Sequence, residues 1–328
     1  MNYGPGVPEE MQQTDGRFLI TGSSGQIGSE LTVALVERYG ADRVIATDIV
    51  KPKRKDCMTA ALDVTDADSV KKLVKEERVT TIVHLAAILS AKGEKTPDLA
   101  FDVNVNGMRN VLNAATAGSG MKLFFPSTIG IFGPDTPKDN IPIETITRPT
   151  TMYGMTKLFC EQLGEYYFRR YGLDVRGLRL PGIVSYKTPP GGGTTDYSIE
   201  MLRAAAGGKN YTCFLKRETM LPMMYMPDAL DAIMKLLEAP SSALVHRTNF
   251  NVMAFSFCPS DLENEIRKIN PGFSVSYVPD ERQAIADTWP RSLDSSAAAR
   301  EWGFSAKYTL SGMVRDMLMN LAPLTRNE

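Results

Sequence analysis

The segment Arg17-Phe18-Leu19-Ile20-Thr21 runs without a break into Gly22-Ser23-Ser24-Gly25-Gln26-Ile27-Gly28. A helical pattern follows, with Leu31, Ala34 and Leu35 on one side. A short apolar run, a Gly-rich turn and a helix in that order leave few folds open. They read as the opening of a βαβ unit, the context that a dinucleotide fingerprint requires. There Gly22 permits the tight turn, Gly25 lets backbone approach a pyrophosphate, and Gly28 lets the helix pack closely on the strand. The helix start, with Gln26 and Ile27, would offer free N–H groups and partial positive charge to phosphates. A Gly-rich connection that binds nothing is the plain alternative. A Walker phosphate loop is excluded, because no Gly-Lys-Ser/Thr occurs.

Further apolar runs follow at regular spacing. Val44-Ile45-Ala46-Thr47-Asp48 reads as a second strand ending on an acid, twenty residues after Gly28. An acid there accepts hydrogen bonds from ribose hydroxyls and repels a 2′-phosphate, which favours NAD over NADP. Lys51, Lys53 and Arg54 just beyond it could tolerate a phosphate. Leu62-Asp63-Val64-Thr65-Asp66 reads as a third strand end, where Asp63, with Val64, could meet the adenine. The same Asp and Thr residues suit a cap for a helix starting near Ala67. Thr81-Ile82-Val83-His84-Leu85-Ala86-Ala87 is a fourth strand, and its small terminal residues Leu85, Ala86 and Ala87 leave room for a ribose. His84 reads as a packed strand residue rather than a base. Lys122 to Thr128 is a fifth strand ending in two hydroxyls, and Leu173 to Leu180 is a sixth. Strands alternating with helical stretches predict an α/β fold, a doubly wound Rossmann-type parallel sheet.

Tyr153 and Lys157 stand four apart, so on a helix they share one face. Free Tyr titrates near pH ~10, and a nearby cation favours the phenolate. Lowering that value by roughly 3 units corresponds to about 4 kcal/mol, within reach of a Lys and an adjacent oxidised nicotinamide. The pair would then supply a general base near neutral pH. A surface Tyr beside a solvated Lys is the ordinary reading of such a pair taken alone.

Together these motifs resemble the extended short-chain dehydrogenase/reductase superfamily over residues of about 17 to 320. The residues that carry the resemblance are Thr21–Gly28, Asp48, Asp63, Thr128, Tyr153 and Lys157. The resemblance implies that Thr128 shares hydrogen bonds to the substrate oxygen with Tyr153. It also implies that Lys157 bonds the nicotinamide ribose while lowering the Tyr pKa, and that Ile183 adjoins the cofactor. The chain departs from the nucleotide-sugar branch of that superfamily. The Asn expected after the sixth strand is Gly182, and the expected Arg-Asp pair reads Leu221-Pro222. Instead, Pro189-Pro190-Gly191-Gly192-Gly193-Thr194-Thr195-Asp196-Tyr197, Ala87-Ile88-Leu89-Ser90 and Leu221 to Asp228 are similar to the short-chain-type L-threonine 3-dehydrogenases.

The Gly191–Gly193 run reads as a mobile loop with exposed N–H groups, suited to a small charged ligand. Ser90, Gly193, Thr194, Thr195 and Asp196 are the candidate contacts for an amino acid's charged ends, beside Thr128 and Tyr153. Capping of a helix over 198–206 is the alternative for Thr195 and Asp196. The four Met residues of Met220 to Met226 read as core filling that could also shape a pocket for a substrate methyl.

The chain has 328 residues and a net charge of −1, so nothing points to nucleic acid or an anionic membrane. Its four cysteines lie far apart without a CxxC, and it has two histidines, so neither a metal site nor a disulfide framework is expected. The expected organisation is a polar tail over 1–16 and a dinucleotide-binding lobe over 17–184. A segment of about 222–256 should return to that lobe. A smaller C-terminal substrate lobe would comprise 185–221 and 257–328. The tail lacks the Arg of a transit peptide. A soluble intracellular protein is expected, with cytoplasm and mitochondrial matrix both open. In the family two long helices pair across a two-fold axis, here about 98–117 and 153–171, which implies a homodimer.

The expected reaction is NAD-dependent oxidation of L-threonine to 2-amino-3-oxobutyrate, with Tyr153 taking the hydroxyl proton. The alternatives are a nucleotide-sugar epimerase or reductase, and a non-catalytic dinucleotide-sensing regulator. The Tyr–Lys pair argues against the second.

Overall fold

The protein is described from a computed structural model covering residues 16–118 and 120–325. The N-terminal polar segment lies outside the described residues, except for Gly16.

The central sheet has seven strands: β1 (Arg17–Thr21), β2 (Val44–Asp48), β3 (Met58–Ala61), β4 (Val79–His84), β5 (Lys122–Thr128), β6 (Asp174–Leu180) and, at one edge, Phe250–Asn251. In spatial order they run β3-β2-β1-β4-β5-β6 and then 250–251, all parallel. The order reverses between β1 and β4, and a ligand cleft opens at such a switch point, beyond the C-terminal strand ends.

The apolar runs are continuous because both faces of the sheet are covered. On β1, Phe18 and Ile20 enter one core with Leu31 and Leu35 of helix α1 (Gln26–Tyr39). Leu19 points the other way, to Val70 of α2 (Ala67–Glu76) and Val111 of α3 (Gly107–Thr116). The longest helix, α4 (Met152–Tyr171), lies on that second side, starting at the Thr151 cap and ending at left-handed Gly172.

The third strand ends at Ala61, so Leu62 to Asp66 forms the turn beyond it. Asp66 caps α2 there, accepting from the Asp68 and Ser69 amides at 3.1 Å, while Asp63 accepts from Thr65. The helical stretch expected over 98–117 contains a wide π turn, Asp102–Asn106, between Pro97–Phe101 and α3. The side chain of Asn104 turns inward, binding both backbone groups of Ile88 and the Thr156 hydroxyl. Its carbonyl accepts from the Cys160 thiol at 3.1 Å. Such π turns recur at functional sites.

A second sheet joins β7 (Gly182–Val184), β9 (Leu221–Tyr225) and Phe255–Phe257, and a two-stranded pair joins β8 (Tyr211–Cys213) to Val275–Tyr277. Around them a separate core gathers Tyr197 and Leu202 of α5 (Tyr197–Ala206) with Leu221, Phe257, Met313 and Leu321. Within 222–256, the helix Met226–Glu238 and the strand Phe250–Asn251 serve the main sheet, whereas β9 serves the second one. Met223, Met224 and Met226 are buried in these cores and do not line the cleft.

Candidate active site

The strands bring the expected residues to one end of the sheet. A cavity of about 240 Å³ is lined by Gly22, Gly25, Gln26, Ile27, Gly28, Leu85, Ala87, Ser90, Thr128, Tyr153, Lys157, Ile183, Gly193, Thr194, Thr195 and Asp196. An adjoining hollow of about 410 Å³ adds Asp48, Asp63, Val64 and Ala86, and shares Gly22, Gly25, Leu85 and Ala87 with the first. Every site residue expected from the sequence therefore faces one of two joined spaces.

The glycine turn has the shape a dinucleotide needs. Gly22 has φ +67°, and a Cβ on it would lie 2.6 Å from the Ala86 amide nitrogen. A Cβ on Gly28 would lie 2.3 Å from the Gly22 carbonyl oxygen, so strand and helix meet backbone to backbone. Gly25 caps α1 with no side chain spent on the first-turn N–H groups and no acid in that turn. The Ser23 hydroxyl is buried there without a partner. Asp48 accepts from the Ser24 amide at 3.0 Å and the Ile49 amide at 2.8 Å, which fixes its carboxylate at the end of β2. Of the nearby cations, Arg54 is tied to Asp56 at 2.6 Å, and Lys51 and Lys53 are exposed. These residues fit a dinucleotide.

At the inner end of the cavity, Tyr153 and Lys157 occupy one face of α4, Tyr153 half-buried and Lys157 buried. Burial pushes the Tyr153 phenol up to about 12, and the neighbouring Thr128 hydroxyl acts in the opposite direction. Desolvation is the largest influence on the phenol in this arrangement. Burial also pulls Lys157 below its ordinary value, while Cys160 and Glu161 push it up, and its ammonium donates to the Pro126 carbonyl at 2.7 Å. His84 is a packed strand residue, as expected: its Nδ1 bonds the Thr21 hydroxyl at 2.8 Å. Burial, followed by the Lys157 charge, pushes it down to about 3, so it stays neutral.

The glycine loop differs from its expected form. Asp196 accepts from the Gly192 amide at 2.8 Å and the Gly193 amide at 2.7 Å, so those N–H groups are not exposed to a ligand. Asp196 precedes α5 without capping it by its side chain, and burial raises its pKa. The Thr194 hydroxyl is buried within 3.4 Å of Ser90 Oγ. One wall residue, Trp289, and one supporting residue, Asn104, have no sequence signal. Trp289 comes from the loop after Glu281–Ala286, held where Lys138 Nζ donates to its carbonyl at 3.1 Å, and its indole N–H is buried without a partner. Asn104 ties the loop before Ser90 to α4 through its long-range bonds.

Among the described residues no helix is long and apolar enough to cross a membrane, and no group of three His, Cys, Asp or Glu side chains is placed to hold a metal ion.

The chain is 47% identical to an L-threonine dehydrogenase from Phytophthora infestans, with a TM-score of 0.91 over 94% of this chain and 100% of that one. It is 41% identical to the Trypanosoma brucei L-threonine 3-dehydrogenase, with a TM-score of 0.91 over 96% and 99% of the two chains. An uncharacterised epimerase/dehydratase of Staphylococcus haemolyticus is 44% identical over 95% of this chain and 99% of its own length. Residues 18–252 match the NAD dependent epimerase/dehydratase family, and with these relatives along nearly its whole length the chain belongs to that family.

Proposed function

We propose that this chain oxidises the hydroxyl of L-threonine, with NAD as hydride acceptor, to give 2-amino-3-oxobutyrate. The observation that carries the reading is the single cavity in which Tyr153 and Thr128 stand beside Ser90, Thr194 and Thr195, next to the glycine turn. The names of the similar dehydrogenase structures point the same way.

Gly22, Gly25 and Gly28 would hold the pyrophosphate on the first turn of α1. Asp48 would bind the ribose and Asp63 the adenine side. NAD, when bound, supplies the carbon that accepts hydride. Thr128 and Tyr153 would hold the substrate hydroxyl, and Tyr153 would take its proton at the phenol oxygen. Lys157 would hold positive charge next to that phenol. Ser90 and Thr195 would contact the zwitterion, while Asp196 holds the glycine loop closed on itself. Residues 17–184 with the helix Met226–Glu238 would form the cofactor lobe, and 185–221 with 257–325 the substrate lobe.

An NAD-reduction assay across L-threonine, L-serine, 3-hydroxybutyrate and UDP-sugars tests the substrate. Sites built from buried polar groups discriminate against ligands that leave those groups unpaired. L-Threonine should therefore far exceed 3-hydroxybutyrate, and Thr195→Ala should raise KM for threonine more than KM for NAD. Brisk oxidation of 3-hydroxybutyrate with L-threonine inert would overturn the assignment.

A nucleotide-sugar reading lacks its anchoring side chains here. A Cβ on Gly182 would lie 2.4 Å from Met223 Sδ and 2.7 Å from Thr195 Cγ2, and Leu221 is buried in the second core. Neither Gly182 nor Leu221 presents a polar side chain to a diphosphate.

For the cofactor, NAD should be preferred over NADP by at least about tenfold, because the Asp48 carboxylate repels a 2′-phosphate. Asp48→Ala should narrow that gap, and equal use of both cofactors by the unaltered protein would refute the role of Asp48.

The exposed side chains Leu99, Phe101, Met155, Phe159 and Tyr166 lie on or beside the two helices expected to pair. An isologous dimer through them would cover this face, and a monomeric mass in sedimentation would contradict it.

A further inference from the structure

Behind Lys157, α4 carries a buried ion pair that the proposed chemistry does not use. Glu161 stands one turn beyond Lys157, and its side chain is 1% exposed. Arg179 of β6 donates to it from Nη2 at 2.8 Å and from Nε at 3.0 and 3.3 Å. The Ser127 hydroxyl donates to the same carboxylate. The other arm of Arg179 bonds the Ile143 carbonyl at 2.8 Å and Asn251 at 3.4 Å, and its guanidinium lies 5.5 Å from the Phe132 ring centre. Burying two charges gains little net stability over apolar side chains of the same size, so stability alone does not account for the pair.

Its position does. Tyr153, Lys157 and Glu161 form an i, i+4, i+8 row on α4, and three successive residues at the end of β5 each stand against one of them. Thr128 stands beside Tyr153, the Pro126 carbonyl accepts from Lys157, and the Ser127 hydroxyl donates to Glu161. The row is thus hydrogen-bonded to the end of β5 through Lys157 and Glu161, and the ion pair ties Glu161 to β6 as well.

We propose that Glu161, clamped by Arg179 and Ser127, is a positioning residue of this site, fixing the register of α4 on β5 and supplying the counter-charge of the Lys157 ammonium. The inference rests on the roles given above to Tyr153 and Lys157.

The groups around Lys157 agree with it. Tyr153 and Cys160 on the same helix are held neutral by burial, Cys160 being pushed up to about 11. His84 from β4 is neutral. Arg179 from β6 stands behind Glu161. Among the described residues, Cys160 and Glu161 are the groups that push Lys157 up, and Glu161 is the one of the two held in an ion pair. Burial alone favours the uncharged amine, and Cys160 and Glu161 oppose it. With that carboxylate removed and Arg179 retained, Lys157 should lose its proton at lower pH.

The test uses full-length Glu161→Gln and Glu161→Gln/Arg179→Met proteins. The pH profile of kcat/KM for L-threonine is measured, together with the NAD Kd by calorimetry over the same pH range. In Glu161→Gln the basic limb should fall by about one pH unit or more, as expected for loss of an adjacent opposite charge. NAD affinity should decline from the same lower pH. In the double variant the limb should lie between that position and wild type, since the uncompensated guanidinium is gone. If Glu161→Gln does not fold, the double variant decides, because apolar replacement of a buried pair is often tolerated. A folded variant with both pH dependences unmoved overturns the proposal. Lack of threonine turnover by the unaltered protein would instead refute the proposed substrate, and the NAD-binding arm would still read out Glu161.

Discussion

Replacing Tyr153 by Phe is expected to lower turnover about 10²–10⁴-fold, the range over which a positioned general base accelerates proton transfer. The change removes one oxygen and keeps the ring, so the packing of α4 on β5 should survive. The hydroxyl lost belongs to a side chain that lines the cavity beside Thr128. KM for NAD should change little, because the glycine turn and Asp48 are untouched. The pH dependence follows from the same group. Burial raises the Tyr153 pKa to about 12, so the proton-accepting form is scarce at neutral pH and grows as pH rises. Turnover by the unaltered protein should therefore climb on the alkaline side until Lys157 begins to lose its proton, and the residual rate of Tyr153→Phe should lack that climb. Near-normal rates in a folded Tyr153→Phe protein would refute the proton-transfer role.

The parts of this site legible in the sequence are those governed by local periodicity. Strands buried on both faces must be apolar runs, so β1, β2, β5 and β6 stand out within a residue or so of their ends. A backbone-to-backbone crossing requires glycine, so Gly22 and Gly28 announce the turn. Helical spacing places Lys157 on the Tyr153 face. What was not legible depends on contacts between distant segments. Asp196 has the look of a ligand-binding carboxylate beside mobile glycines, yet its oxygen is taken by the Gly192 and Gly193 amides. Nothing about Trp289 in the sequence links it to Ser90 or Thr195; the second core brings it there. The π turn at Asn104 arises because its side chain finds partners in Ile88 and Thr156, which helix propensity cannot register. The same holds for Glu161, an ordinary helix residue until β6 places Arg179 against it.

Gly154→Ala is the substitution expected to reverse the usual effect of its type. Ala is favoured over Gly inside a helix by up to about 1 kcal/mol, and Gly154 lies in the first turn of α4 between Tyr153 and Met155. A Cβ there would lie 2.1 Å from the Gly130 carbonyl oxygen and 2.7 Å from Pro149 Cβ. The first obstacle is backbone, so the helix start must move rather than a side chain swing aside. Overpacking of this kind costs about 1–3 kcal/mol, enough to cancel or outweigh the propensity gain. Gly130 also sits against Tyr153, and its amide donates to Thr128 Oγ1 at 3.1 Å, so the displaced contact is the one that sets Tyr153 against Thr128. Misplacing a reacting group by about 1 Å can lower a rate about 10²-fold. Gly154→Ala should thus lower both the melting temperature and kcat, with the loss in kcat the larger effect and NAD binding less affected. An Ala variant as stable and as active as the unaltered protein would show that the Gly130–Gly154 contact does not hold the catalytic helix in place.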